Sequence, residues 1–268
     1  MVPLKMDDND QGAKYGTKWE REESILALYL YCQIPFAKTK ANNPEVIRLA
    51  KLIERTPSAV ARKLGNFGAF DPLLQSRGVT GLTHGSYDDE AIWNEFLGHW
   101  ESLVAVVDGI MAGLPAAIQE HEARPEVPLE EEFQRTERPV TRMERLCQSF
   151  FRKTILASYD NTCCICGMDL PRLLVASHIV PWATREETRT DPGNGLCLCA
   201  IHDKAFDRGL LGVLENNAIV ISKAVSVSKS TAAHEYLKAF AGQCIHLPRR
   251  FPPNPANLAW HLENIFRQ

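Results

Sequence analysis

Between Cys163 and Leu211 the sequence gathers five of the chain's eight cysteines and two of its eight histidines, so the first chemistry to consider is metal binding. Cys163 and Cys166 enclose two residues and are followed by Gly167, and Cys199 and His202 repeat that spacing downstream. Two such pairs supply four sulfur and nitrogen ligands, which complete the tetrahedral shell of zinc (Zn2+) with no open position. That describes a structural site rather than a catalytic one. Cys164 and Cys197 stand beside the pairs as competitors, and spacing alone leaves the register open. The alternative is a set of cysteines without metal. Cys32, Cys147 and Cys244 are isolated and read as plain core or surface residues.

The elements that must position these groups are short. "LLVASHIVPW" is an apolar strand carrying His178, a polar loop follows, and Asn194 sits in "DPGNGL" before the second ligand pair. Upstream, "TRMERLCQSFFRKTILASYDNT" shows an apolar helical face of Leu146, Phe150, Ile155 and Leu156. Its basic face, Arg142, Arg145, Arg152 and Lys153, can lie along a phosphate backbone or simply be solvated. Downstream, "LLGVLENNAIVIS" reads as a hairpin turning at 215–217, and "STAAHEYLKAFA" as one helix. The expected fold class is α+β, with a small sheet flanked by helices.

The strand with His178, the turn with Asn194 and the short helix after it resemble the HNH, or ββα-metal, endonuclease motif. The wording "SHIVPW", "NGLCLC" and "HDKAFDRGLL" is similar to a subgroup of bacterial restriction endonucleases, and "IHLPRRFPPNPANLAWHLENIF" resembles the tail that follows the motif there. The resemblance covers roughly 141–266. It implies that His178 is a general base acting on the water that attacks a phosphodiester, a role suited to a group titrating near neutrality. It implies that Asn194 fixes the imidazole and braces the turn through its side-chain amide. Asp203 and Asp207, nine and thirteen positions after Asn194, would hold a catalytic divalent ion. Four residues apart on a helix, their carboxylates share a face, and hard oxygen ligands suit magnesium or manganese (Mg2+ or Mn2+). Arg208 is a candidate contact for the cleaved phosphate, with a structural ion pair as the alternative.

Two departures from the family pattern stand out. Ser177 precedes the base where many HNH enzymes carry an Asp or His metal ligand. His202 falls one position early for the last histidine of the motif, on the knuckle register; the alternative is that it binds the catalytic ion and leaves zinc a ligand short. His234, His246 and His261 lie outside the motif and receive no role.

The whole chain, 268 residues with 45% hydrophobic and 24% charged, has the composition of an ordinary globular protein of two domains. A net charge of -3 gives no global sign of nucleic acid, so any basic surface must be local. The expected division is a helical domain over 1–112, an acidic, Pro-containing linker over 113–140 and the nuclease domain over 141–268. In the first, Asn43 and Thr56 each precede a proline and cap a helix. Two short helices with a tight turn suggest a helix-turn-helix whose second helix offers Ser58, Arg62 and Lys63 to DNA. "QSRGVTGLTHGSYDDEAIW" would add a wing hairpin. The other reading is a helical domain that binds a protein or dimerises.

The first residues lack the apolar segment of a secretory signal and no run is long enough to cross a bilayer, so a cytoplasmic protein is expected. The expected partner is double-stranded DNA, cut by a homodimer or by successive nicks, in restriction of foreign DNA, with a modification-dependent enzyme as one form of that role. Two rival readings are a non-catalytic, zinc-stabilised DNA-binding regulator and a nuclease gated by a protein or small-molecule signal through its first domain. RNA or single-stranded DNA stays open as a substrate.

Overall fold

Three times in the first half of the chain a short polar residue stands before a proline, and each time a helix begins there. Asn43, Thr56 and Asp71 accept the backbone N–H of Glu45, Ala59 and Leu73 at 2.8, 3.2 and 3.0 Å. These side chains satisfy N–H groups that a helix start leaves unpaired, and a proline at the first helical position forfeits nothing. The computed structural model describes residues 14, 16–78, 87–114 and 141–267. The chain divides into two units, Met1–Glu126 and Val127–Gln268.

The first unit is helical: α1 (Arg21–Gln33), α2 (Pro44–Leu52), α3 (Pro57–Gly68), α4 (Pro72–Gln75), α5 (Tyr87–Phe96) and α6 (Trp100–Ala112). α1 is buried on most of its circumference, through Ile25, Leu26, Ala27, Leu28, Tyr31 and Cys32. The Tyr31 ring meets Phe36, Phe67 and Trp93. Burial of each large apolar side chain stabilises by roughly 1.5–3 kcal/mol. α2 and α3 follow each other through a turn in which Glu54 takes φ 55°. Residues 79–86, part of the expected wing, lie outside the described residues, as do 115–140 of the expected linker.

Lys63 corrects one expectation. It does not face outward: its side chain is 5% exposed, its ammonium lies 2.6 Å from Asp89 Oδ1, and it sits 4.4 Å from the centre of the Trp19 ring. The reason is helix phase, since Val60, Lys63, Leu64 and Phe67 fall on the stripe of α3 that packs inward. A buried lysine at that position requires a carboxylate, which Asp89 supplies.

The second unit begins with α7 (Arg142–Ser158), opened by a reciprocal cap between Thr141 and Glu144. Strands β1 (Leu174–His178) and β2 (Gly195–Cys199) pair antiparallel, with Leu174 opposite Cys199 and His178 opposite Gly195. α7 lies on this hairpin because residue 195 has no side chain; a Cβ there would overlap Ile155 and Phe151. α8 (Ala200–Asp207) follows β2 directly, and a second hairpin is formed by β3 (Leu211–Val213) and β4 (Ile219–Ile221). α9 (Lys223–Val227), α10 (Thr231–Tyr236) and α11 (Pro255–Asn264) complete the unit. The single helix expected over 230–241 is broken at Leu237, and a 3-10 turn takes Lys238–Phe240. With two small sheets and flanking helices, the fold is α+β. No described helix is long and apolar enough to cross a membrane.

Candidate metal and catalytic site

The ligand atoms of Cys163, Cys166, Cys199 and His202 all lie within 4.8 Å of one another. Cys199 Sγ is 3.1 Å and Cys163 Sγ 3.6 Å from His202 Nδ1, and Cys166 Sγ is 3.8 Å from Cys199 Sγ. Tetrahedral zinc, with bonds of about 2.3 Å to sulfur, separates two sulfurs by about 3.8 Å, so the set fits that ion. Gly167, at φ 76°, turns the first knuckle, where Cys163 N–H donates to the Met168 carbonyl at 2.8 Å. His202 Nε2 lies 2.9 Å from the Tyr236 carbonyl. A carbonyl only accepts, so Nε2 carries the proton and the Nδ1 lone pair is left to ligate an ion that the cluster would hold, an orienting contact typical of metal-bound histidines. The Cys199 thiol is held down to about 3, first by its hydrogen bond with Cys163 and further by His202.

Cys164 and Cys197 stay out of this cluster. Both belong to the apolar core, the Cys164 N–H donates to the Cys197 carbonyl at 2.8 Å, and burial pushes the Cys197 thiol up to about 12. Neither sulfur belongs to the group of ligand atoms that lie within 4.8 Å of one another.

His178 stands at the other end of the hairpin, four residue steps away, or roughly 13 Å at the usual strand rise. Its ring stacks on Phe151, with centroids 3.8 Å apart and planes 10° off parallel, and meets the edge of Trp182. His178 Nε2 lies 2.9 Å from the Arg189 carbonyl. The same reasoning makes Nε2 the protonated nitrogen and leaves Nδ1 as the basic one. Burial lowers the pKa to about 4 against the opposing pull of that carbonyl, so the ring is neutral at pH 7. Arg189 is fixed in turn by its Nε donating to the Trp182 carbonyl at 2.9 Å.

Asn194 is fully buried and uses both ends of its amide on backbone. Its Oδ1 accepts from Val180 N–H at 2.8 Å, and its Nδ2 donates to the carbonyls of Val180 at 2.9 Å and Thr188 at 3.1 Å. It braces the turn as expected, but the imidazole is fixed by the Arg189 carbonyl; Asn194 reaches it only through the peptide at Thr188, next in the chain. Ser177, beside His178, points to the opposite face of β1, is buried, and its Oγ has no hydrogen-bond partner.

Asp203 and Asp207 lie one turn apart on α8, half-buried and exposed respectively. The Asp207 carboxyl is raised by partial burial, against Lys204 and Arg208, which favour its ionised form. Among the described residues the cysteine-histidine group is the only cluster able to hold an ion with three or more ligands, so the two aspartates and His178 do not converge on one preformed site. Of the residues expected to contact DNA, Ser58, Arg62 and Arg208 are exposed and Arg152 is half-buried. Arg62 lines a cleft of ≈ 300 Å³ together with Trp19, Arg55 and Thr56.

His261, which sequence reasoning left without a role, stacks on Phe206 of α8 with centroids 3.6 Å apart, and its Nε2 donates to the Phe206 carbonyl at 3.1 Å. At the start of α11, Asn254 N–H donates to the Gly193 carbonyl at 2.8 Å, and beyond its end Arg267 N–H donates to the Gly209 carbonyl at 2.9 Å. One helix and its flanks therefore hold both the residue before Asn194 and the end of the helix that carries the aspartates. Nothing in the local sequence around 260–261 marks this contact, because the partner on α8 is far away in sequence.

Residues 163–214 match the family HNH_2, described as HNH endonuclease. A search of curated proteins found no match.

Proposed function

We propose, from the match of residues 163–214 to the HNH endonuclease family, that the chain is a metal-dependent endonuclease that hydrolyses phosphodiester bonds in double-stranded DNA, with His178 as general base. The observation that carries this reading is the state of the His178 ring: neutral, proton on Nε2, free electron pair on Nδ1, and pinned by Phe151 and the Arg189 carbonyl. Nδ1 takes a proton from water as the water oxygen bonds to phosphorus, and the bond from phosphorus to the 3′-oxygen breaks. Asp203 and Asp207, two hard-oxygen ligands on one helix face, would hold magnesium or manganese, which when bound neutralises charge developing on the phosphate and the leaving oxygen. A zinc held by Cys163, Cys166, Cys199 and His202 would be structural, tying the chain before β1 to the start of α8.

Ser58 and Arg62, one turn apart on the exposed side of α3, support a DNA-reading role for the first unit. One ββα site cuts one strand, so a double-strand break needs two copies or two nicks. The role we assign is restriction of foreign, including modified, DNA in the cytoplasm. The test is cleavage of modified and unmodified phage DNA with magnesium or manganese, comparing wild type with His178→Ala. Cutting that needs the ion and is lost in a folded, zinc-loaded variant is the expected result. A zinc-loaded wild type that binds DNA and cuts none of it would leave the non-catalytic regulator as the better reading.

A further inference from the structure

The C-terminal end of α8 borders a cleft of ≈ 310 Å³ lined by Arg208, Leu210, Ser222, Ala224 and Arg267. Both arginines are exposed, and among the described residues neither guanidinium has an ion pair or hydrogen bond. Other arginines find carboxylates: Arg21 with Glu95, Arg55 with Glu23, Arg189 with Glu186 and Arg249 with Asp160. Arg208 is near enough to Asp207 to favour its ionised form, yet the two make no ion pair.

Arg208 has a local reason for its place, since it caps the end of α8, where outward-pointing carbonyls favour a cation. Arg267 has none. It arrives from the chain beyond α11 and is held by its own N–H on the Gly209 carbonyl. Gly209, at φ 69°, leaves no room for a side chain, because a Cβ would overlap the Ile265 carbonyl and crowd the Arg267 stem. The two segments thus run in backbone contact, and α11 is itself anchored to α8 through His261. The fold brings two like charges to one cleft and, among the described residues, pairs neither guanidinium with a carboxylate, an arrangement that an incoming anion relieves.

We propose that Arg208 and Arg267 form a clamp for a backbone phosphate of the nucleic acid, beside the one that is cut. Planar guanidinium groups match phosphate oxygens in pairs, which a lysine cannot do. The identity of the ligand as nucleic acid rests on the nuclease reading above; the anion site itself rests on the geometry of the cleft.

The experiment uses the full zinc-loaded chain and a fluorescent DNA duplex, with binding followed by anisotropy across a salt series and no added divalent ion. Arg208→Gln and Arg267→Gln are each expected to weaken binding and to reduce the slope of log affinity against log salt by about 1, and the double variant by about 2. Arg267→Lys should keep the slope but bind more weakly. Both positions are exposed, so zinc content and melting temperature should match wild type. An Arg267→Gln variant with wild-type affinity and slope overturns the clamp, as does a wild type that does not bind DNA. If calorimetry shows inorganic phosphate bound by wild type and not by the double variant, while DNA affinity is the same in both, the nucleic-acid assignment is overturned. A wild type that binds DNA through these arginines but cuts none with magnesium or manganese keeps the clamp and removes the nuclease reading. A wild type that cuts, with both variants unchanged in binding, does the reverse.

Discussion

At the Cys199 end of the β1–β2 hairpin four ligand atoms lie within 4.8 Å of one another, whereas His178, at the other end, and the two aspartates of α8 share no such cluster. The first site needs nothing from outside except an ion, so the chain alone can complete it. The second must admit a phosphodiester, a water and an ion, and side chains that closed on one another would fill that space. Its order is placed instead in single groups: one ring held by a stack and a carbonyl, one amide saturated by backbone. A closed cluster and an open surface therefore answer different tests.

Removing the closed cluster should have the largest effect. Structural zinc in small domains contributes roughly 10–16 kcal/mol of apparent binding energy that is also folding energy. Cys199→Ser, or zinc stripped by a chelator, is expected to unfold the second unit and abolish cleavage; metal analysis and near-ultraviolet circular dichroism read both. Survival of the fold without zinc would break the contrast between the two ends.

His178→Ala should act on the open end alone. Loss of a general base typically lowers the rate by about 10²–10⁴-fold, with zinc content retained and the melting temperature lowered by the lost stack on Phe151 and the unpaired Arg189 carbonyl. The same ring gives a pH signature. Its folded pKa of about 4 lies below the ordinary value of 6.5, so the unfolded chain binds more protons between those values and stability falls as pH drops from 6.5 toward 4. His261, also lowered to about 4 by burial, adds the same sign. Urea midpoints at pH 7 and pH 5 check the direction, and activity limited by His178 should be flat above neutrality.

Asn194→Asp sharpens the comparison by a smaller step. A carboxylate still accepts from Val180 N–H but cannot donate to the Val180 and Thr188 carbonyls, which are left unpaired at a cost of about 1–3 kcal/mol. We expect lower stability and a smaller loss of cleavage than in His178→Ala, with zinc unchanged, measured by thermal melts and cleavage rates.

What could be read in the sequence follows the same division. The grouping of Cys163, Cys166, Cys199 and His202 was legible because they come in two local pairs whose spacing is itself the signal, and only the choice against Cys164 and Cys197 needed the three-dimensional arrangement. The helix starts at Asn43 and Thr56 were legible for the same local reason. Lys63 was not, because which flank of α3 turns inward depends on Trp19 and Asp89, brought from distant elements. The Arg189 and Tyr236 carbonyls that set the two histidine tautomers leave no mark in a sequence, since every residue carries a carbonyl. His261 was passed over because its partner, Phe206, lies 55 positions away.

The anchoring by α11 has a consequence in time as well as in space. Asp207 is made 60 residues before Arg267, so a growing chain exposes every group that we assign to catalysis before the segment that holds the turn and the end of α8 exists. A chain stopped after residue 253 should bind zinc yet cut DNA poorly, as metal analysis and cleavage assays on that fragment would reveal. On the ribosome, a cutter of DNA would remain harmless until its synthesis had passed the last strap.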